Sequence, residues 1–157
     1  MGGTTWPTSL EEIAMRRTLG PTLAVMLLFV AGVAPVAAAH RQAISITAIT
    51  TFDEVPDTFT ADGLPGCDEG IVEDGPANVV FTPGPGVFAG FKVFWCDGSD
   101  SGFVLRLNAL FGPGGSTGTW SVIAAWGTVE GMHGAGKLVG DPIEGGVIDR
   151  YAGIVTS

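Results

Sequence analysis

The sequence has few of the residue types on which most enzymes and nucleic-acid-binding proteins rely. Its 157 residues include two histidines, two cysteines and one tyrosine, and seven basic residues stand against sixteen acidic ones, for a net charge of −9. A Ser-His-Asp or Cys-His site would have to use His40 or His133, which disfavours a catalytic triad. The acidic balance likewise disfavours nucleic acid and anionic membrane surfaces as partners.

Helical periodicity is also lacking, because no stretch past His40 sustains apolar residues every three or four positions. Short runs rich in β-branched and aromatic residues stand there instead, between clusters of Gly, Pro and Asp. The runs that predict strands are residues 43–49, 78–82, 88–96, 103–111, 119–126, 137–140 and 146–155. Seven or eight short strands predict a single all-β domain, either a barrel or a sandwich.

Alternation within these runs predicts which side chains share a face of the sheet. In residues 103–111, one face carries only apolar side chains: Phe103, Leu105, Leu107, Ala109 and Phe111. In residues 119–126, the alternation groups four side chains: Trp120, Val122, Ala124 and Trp126. In residues 88–96, it separates Phe91, Val93 and Trp95 from Lys92 and Phe94.

The first 39 residues have the layout of an export signal, preceded by a short segment that indicates a start codon assigned too far upstream. From Met15, a basic pair is followed by the apolar run Leu23–Val33 and by the small-residue triplet at 37–39. This order is typical of a secretory signal peptide, with a membrane anchor as the alternative because residues 20–39 carry no charge. We therefore expect residues 1–14 to be dispensable, residues 15–39 to be the signal and residues 40–157 to be the secreted, extracellular domain. The export route, Sec or twin-arginine, stays open.

The exported part concentrates its negative charge in one segment. Two acidic and two basic residues lie before position 40, so residues 40–157 hold fourteen acidic and five basic ones. Eight of the fourteen acids fall between Asp53 and Asp74, with no basic residue among them. Such a run predicts a solvated loop that keeps a secreted protein soluble.

The only two cysteines, Cys67 and Cys96, predict one disulfide bond, because both lie in the part expected outside the cell. This bond would gather four acids: Asp68, Glu69, Asp97 and Asp100. Oxygen-rich clusters suit Ca²⁺, but the segment DGSDSG lacks the spacing of a dedicated calcium loop, and plain surface acids are the favoured interpretation. No metal or other cofactor is expected.

Five glycines in the stretch GTVEGMHGAGKLVG, residues 127–140, raise the alternative of a phosphate-binding loop. The spacing does not match G-x-G-x-x-G, and Lys137, although preceded by Gly136, is followed by Leu138 and not by Ser or Thr. Glycines in a strand region mark bulges, bends or a close approach of another chain segment, and such kinks let a sheet curl into a barrel. The stretch therefore predicts structure and no nucleotide site.

The same stretch, continued by GGVIDRYAGIV, resembles the C-terminal part of small secreted actinobacterial proteins with an allene-oxide-cyclase or dirigent-like β-barrel. The matching positions are Gly127, Gly131, Gly134, Gly136, Tyr151 and Gly153, over about 35 residues plus the strand before them. Trp126, Val129 and Met132 depart from the pattern. The resemblance implies an antiparallel barrel of about eight strands with room for a small apolar molecule. No catalytic residue can be aligned, and a shared fold does not give a shared function.

These observations predict a protein that binds a small hydrophobic ligand or has a structural or interaction role. The expected ligand contacts are Trp95, Trp120, Trp126 and Tyr151. The alternative is a cyclase- or isomerase-type enzyme that uses the same interior. Such an enzyme should point titratable side chains inward, and the candidates are Arg106, Glu130, Asp149 and Tyr151. The identity of the ligand and the oligomeric state do not follow from the sequence.

Overall fold

The computed structural model describes residues 40–52 and 55–157, which form a closed antiparallel β-barrel of eight strands. Each strand pairs with the next one along the chain, and the last pairs with the first. The strands are β1 (Arg41–Thr51), β2 (Thr58–Asp62), β3 (Glu69–Val80), β4 (Gly86–Cys96), β5 (Gly102–Gly112), β6 (Gly115–Trp126), β7 (His133–Ile143) and β8 (Gly146–Thr156). The all-β prediction is confirmed, and the fold is a barrel and not a sandwich. The expected start segment and signal lie outside the described residues.

The two ends of the barrel differ in their connections. At the disulfide end lie the chain position His40, the loops 63–68, 97–101 and 127–132, and the C-terminal residue Ser157. At the opposite end, the cavity end, lie the connections 81–85, 113–114 and 144–145 and the described parts of the β1–β2 connection. A single 3₁₀ turn, Gly127–Val129, is the one helical element among the described residues, and none there is long and apolar enough to span a membrane.

Strand β5 shows why these residues form a closed sheet. Its inward side chains Phe103, Leu105 and Leu107 are at most 2% exposed, while Arg106 and Asn108 point into solvent. This alternation is the pattern predicted from the sequence, and it buries one face of the strand against the opposite wall. A strand of this kind gains its stability from that buried face.

Near the disulfide end the interior is packed solid with aromatic rings. Phe94 and Phe103 stack with their ring centroids 4.7 Å apart, and Phe59 meets Phe94 edge-on at 5.1 Å. Tyr151 closes the cluster from β8, with its centroid 5.8 Å from that of Phe94. Offset and edge-to-face arrangements are the favoured geometries of such rings. The side chains of this half of the barrel therefore fill the space that a ligand would need.

The disulfide between Cys67 and Cys96 is present, as the sequence predicts. Its Cα atoms are 4.9 Å apart, within the usual range for a disulfide, and both residues are buried. The bond ties the β2–β3 loop to the last residue of β4. It thus holds the β2–β3 loop in place over the solidly packed end of the barrel.

Residues 55–74, the described part of the acidic segment 53–74, are not the solvated loop that the charge predicts. They contain all of β2 and the first half of β3, in which every second residue is buried. Asp62, Glu69 and Glu73 point outward, while Phe59, Ala61 and Val72 point into the core. Asp74 is the exception, because it pairs with the inward-pointing Lys92. Charge alone misled the prediction, because a strand with one solvated face can carry acids at alternate positions.

Strand β6 contains a bulge that changes the predicted face of its last residues. Leu105 pairs with Val122 and Val104 pairs with Ala124, which leaves Ile123 as an extra residue without a partner. Ile123 is 52% exposed, and Ala125 now packs against the core in place of Ala124. The predicted grouping of Trp126 with Trp120 was therefore wrong, because one inserted residue moves everything after it to the opposite face.

Two glycines of the glycine-rich region make room for a buried indole. Gly136 on β7 and Gly153 on β8 are paired, and the ring of Trp120 lies over both. A Cβ atom at position 136 would lie 2.7 Å from Cε2 of this ring and closer still to the carbonyl oxygen of Ala152. The indole N–H donates to the carbonyl oxygen of Lys137 at 3.0 Å. The glycines thus serve the packing of the sheet, as predicted, and specifically the packing of Trp120.

Candidate functional site

A cavity of about 300 Å³ occupies the half of the barrel opposite the disulfide. Volumes of this order are at the lower end of the range for small-molecule pockets. The cavity is lined by inward side chains of seven strands together with Phe52 at its mouth: Thr50, Asp74, Phe88, Lys92, Leu107, Ala109, Phe111, Ser116, Leu138, Val147 and Asp149. It opens toward the cavity end, so a small molecule could reach it from solvent.

The strands themselves explain why this half of the barrel is hollow. The inward series on β5 runs from Phe103 through two leucines to Ala109, so the side chains shrink toward the cavity end before Phe111 at the mouth. Strand β2 has five residues where its neighbours β1 and β3 have 11 and 12. The wall between β1 and β3 is therefore incomplete beyond Thr58, and the interior is less filled there.

A charged cluster forms the floor of this otherwise apolar cavity. Lys92, which is 6% exposed, places Nζ 2.9 Å from Oδ1 of Asp74 and donates to Oγ1 of Thr50 at 2.9 Å. Oδ2 of Asp149 lies 4.0 Å from the same Nζ. Tyr151, which is fully buried, donates its hydroxyl hydrogen bond to this Oδ2 at 3.3 Å. The cluster joins β1, β3, β4 and β8 across the interior.

Local sequence explains how each of these charges comes to point inward. Lys92 belongs to the inward series of β4, between Gly90 and Phe94, and Asp149 precedes Tyr151 by two positions on β8. Asp74 pairs directly with Lys92, and the register shifts immediately after it, where Gly75 and Pro76 form a bulge. Because directly paired residues share a face, Asp74 and Lys92 must lie on the same side of the sheet.

Burial shifts the titration of the two acidic groups on β8. The pKa of Asp149 is raised above its ordinary value, because burial disfavours the charged carboxylate more than Lys92 and the Tyr151 hydrogen bond favour it; the charge of Asp74 raises it further. The pKa of Tyr151 is raised well above 10, first by burial and then by the charge and hydrogen bond of Asp149. Tyr151 is therefore a neutral hydrogen-bond donor at neutral pH.

The mouth of the cavity is aromatic and exposed. Phe52 is 75% exposed and Phe81 is 81% exposed, although both are large apolar side chains. Phe81 meets Phe111 edge-on, with ring centroids 5.6 Å apart, and Phe111 and Phe52 both line the cavity. Exposed apolar groups of this size at the rim of a cavity mark a binding or entry surface.

The four predicted ligand contacts do not lie together. Trp120 and Tyr151 point into the barrel, but they belong to the solid core and do not line the cavity. Trp95 and Trp126 lie on the outer face, where their rings meet edge-on at 5.1 Å and the Trp95 indole donates to Glu73 at 3.2 Å. None of the four contacts the cavity directly; Tyr151 reaches it through Asp149.

The predicted inward titratable groups divide equally. Asp149 and Tyr151 point inward, whereas Arg106 and Glu130 are exposed, the first on the outer face of β5 and the second in the loop 127–132. Sequence reasoning missed Lys92 and Asp74, which face each other at the centre of the site. The sequence did contain a signal for Lys92, because Lys92 lies on the same face of its strand as Phe94 and both faces of that strand carry apolar residues.

The four acids considered for calcium lie around the disulfide end, in or beside the loops that flank Cys67 and Cys96. Within residues 40–52 and 55–157, no group of three or more His, Cys, Asp or Glu side chains could hold a metal ion. The disulfide therefore brings their chain segments together without building a coordination site among the described residues.

Comparison with known proteins gives no relative: no family model matches the chain, and no curated protein is significantly similar to it. The resemblance to allene-oxide-cyclase or dirigent-like barrels thus stays a prediction. The shape and chemistry of the cavity are therefore the guide to the function of the barrel.

Proposed function

We propose that the barrel binds a small, mainly apolar molecule in the cavity. The observation that carries this proposal is a space of about 300 Å³ with apolar walls, a charged floor and an exposed aromatic mouth. Binding pockets combine mostly hydrophobic walls with a few polar groups that fix orientation, which is the composition found here. A barrel with a purely structural role has no need of an open interior with a buried lysine, since unfilled space and buried charge both cost stability.

A variant that fills the cavity tests this proposal. Ala109 lines the cavity and points inward, whereas its neighbour Asn108 points into solvent on the same strand. Ala109→Phe should abolish saturable binding of the neutral probe N-phenyl-1-naphthylamine, measured by its fluorescence. Asn108→Phe adds the same ring outside and should leave binding unchanged. No saturable binding to the wild-type barrel, or equal binding by both variants, would leave the structural or interaction role standing.

An enzyme of the cyclase or isomerase type is the second candidate function. It is favoured by the inward position of Lys92, Asp149 and Asp74, because an enzyme needs acid and base groups beside its substrate. In that case Asp149→Asn and Lys92→Met would lower turnover of a bound ligand by at least about 100-fold while retaining its binding. Incubation followed by chromatography of the recovered ligand separates the two functions, since a binding protein returns the ligand unchanged.

We also propose that the protein acts outside the cell. The disulfide supports this location, because such bonds persist in oxidising compartments. Intact mass of the secreted protein should correspond to His40–Ser157. Recovery from culture medium of a chain that begins at Met1 or Met15 would contradict cleavage.

A further inference from the structure

We propose that the ligand of the cavity is an apolar molecule that carries a neutral hydroxyl group, and that this group hydrogen-bonds to Asp149. This inference rests on the proposed binding function and adds the chemistry of the head group. It is carried by the arrangement of donors, acceptors and charges on the cavity floor. The expected ligand is thus an aliphatic alcohol rather than a carboxylic acid, an ester or an amine.

Two of the three N–H bonds of Lys92 and the hydroxyl of Tyr151 are already engaged. Lys92 points one N–H bond to Asp74 and one to Thr50, each at 2.9 Å, and faces Oδ2 of Asp149 at 4.0 Å. The hydroxyl of Tyr151 donates to the same Oδ2. A ligand that could only accept hydrogen bonds is therefore left with the third N–H bond of Lys92, which faces Asp149, and with the hydroxyl groups of Thr50 and Ser116.

The accepting side of the floor is open by comparison. Asp149 lines the cavity, and its second oxygen, Oδ1, accepts no hydrogen bond from the side chains of residues 40–52 and 55–157. Gly140 pairs with Asp149 across β7 and β8, and its missing side chain leaves a small space between Oδ1 of Asp149 and Oγ of Ser116: a Cβ at position 140 would lie 2.5 Å from Oδ1 and closer still to that Oγ. A hydroxyl group can donate to this oxygen.

Charge argues against the ionised alternatives. The cluster holds one cation, Lys92, and two carboxylates, of which Asp149 is nearly buried and Asp74 is 64% exposed. A ligand carboxylate would place a further negative charge beside Asp149, whereas a ligand ammonium, although attracted by the carboxylates, would have to share Asp149 with the Lys92 cation that already faces it at 4.0 Å. A neutral hydroxyl avoids both repulsions.

Four ligands with the same hydrocarbon chain test the proposal: octanol, octylamine, octanoate and methyl octanoate, which accepts hydrogen bonds but cannot donate them. Each competes with N-phenyl-1-naphthylamine for the wild-type protein at pH 7. Octanol should displace the probe at a concentration at least about tenfold lower than the other three, since a hydrogen bond to a charged group supports a difference of that order. Equal or tighter binding of octanoate, octylamine or the ester overturns the head-group inference while probe binding still supports the cavity.

Two variants locate the effect at Asp149. Asp149→Asn should narrow the preference for octanol over octanoate to about threefold or less, because it removes one negative charge from the floor. Asp141→Asn makes the same change of charge at an exposed side chain of β7, outside the cavity, and should leave the preference unchanged. Gly140→Ala should weaken octanol binding relative to the ester, whereas Gly114→Ala, in open space, should not. An unaltered preference in both Asp149→Asn and Gly140→Ala overturns the assignment to Asp149.

Discussion

Individual residues divide the barrel interior into a part that holds the fold and a part that is free to bind. Trp120 belongs to the first part: it is 2% exposed, its indole nitrogen is hydrogen-bonded, and two glycines accommodate its ring. Ala109 belongs to the second, because its methyl group faces the cavity where a larger side chain would fill it. Both residues point into the barrel because of the alternation within their strands. The size of the individual inward side chains therefore decides which half of the interior is open.

The packing of Trp120 predicts a large effect for one added methyl group. Gly136→Ala places a Cβ against both the indole ring and the backbone oxygen of Ala152, neither of which can move without disturbing the sheet. The free energy of unfolding should fall by about 1–3 kcal/mol, the usual range for overpacking. Urea denaturation measures it, with Gly114→Ala as the control because no atom lies within 4 Å of a Cβ there. Equal stability of the two variants would mean that the indole does not occupy this space.

The raised pKa of Asp149 predicts a pH-dependent gain from its replacement. A folded-state pKa above the unfolded value near 3.8 means that the protonated form stabilises the fold fully below that pH, and that this contribution is lost as the pH rises through the folded pKa. Asp149→Asn keeps a neutral group at every pH. Its stability relative to wild type should therefore be higher at pH 7 than at pH 3, measured by urea denaturation. Asp141→Asn, which removes an exposed carboxylate outside the cavity, serves as the control.

At the scale of elements, the strands with strict alternation could be predicted and the interrupted ones could not. Strand β5 follows from its sequence because five apolar residues at alternate positions have only one arrangement in a half-buried strand. Strand β2 was missed because its five residues, TFTAD, lie in an acidic stretch. The bulges at Gly75–Pro76 and at Ile123 depend on the partner strand, which a single strand's pattern does not contain.

The candidate site was predictable only in part for the same reason. Asp149 and Tyr151 could be named as inward groups from alternation within β8. Their meeting with Lys92, 57 positions earlier in the chain, depends on the barrel bringing β4 and β8 face to face across its interior. Whether those inward positions enclose a cavity or a solid core depends on the fit of side chains from seven strands, which no local pattern expresses.

The loop joined by the disulfide predicts a loss of stability on its removal. Cys67 and Cys96 are 29 positions apart, and closing a loop of that length in the unfolded chain is worth about 3–4 kcal/mol in the chain-entropy model. Replacement of both residues by serine should lower the free energy of unfolding by about this amount, measured in urea. Wild-type protein denatured without reductant should give no thiol adduct. Two adducts per chain, or an unchanged urea midpoint in the double variant, would contradict this role.

For the whole molecule, the two ends of the barrel have separate tasks. The disulfide end combines the covalent bond with the stacked rings, while the cavity end has the gap in the wall beyond the short strand β2, the exposed phenylalanines and the charged floor. Function-related sites tend to lie where local stability is lowest. Amide hydrogen exchange should therefore be slowest in the strand halves around Phe94 and Phe103 and faster near the cavity mouth.

The pairing of β1 with β8 has a consequence for how the chain folds. Seven of the eight strand pairings join neighbours in sequence, whereas the eighth joins Arg41 to Thr156 and Thr51 to Gly146. That single pairing carries nearly all of the long loop-closure entropy, so it should be the last to form and should limit the folding rate. A circular permutant that links residues 40 and 157 and begins at Gly114 turns this pairing into a local hairpin. Strands β5 and β6 then lie at opposite ends of the chain and form the single nonlocal pairing. The overall folding rate in stopped-flow measurements should therefore change little, while the slow step moves from the β1–β8 pairing to the β5–β6 pairing.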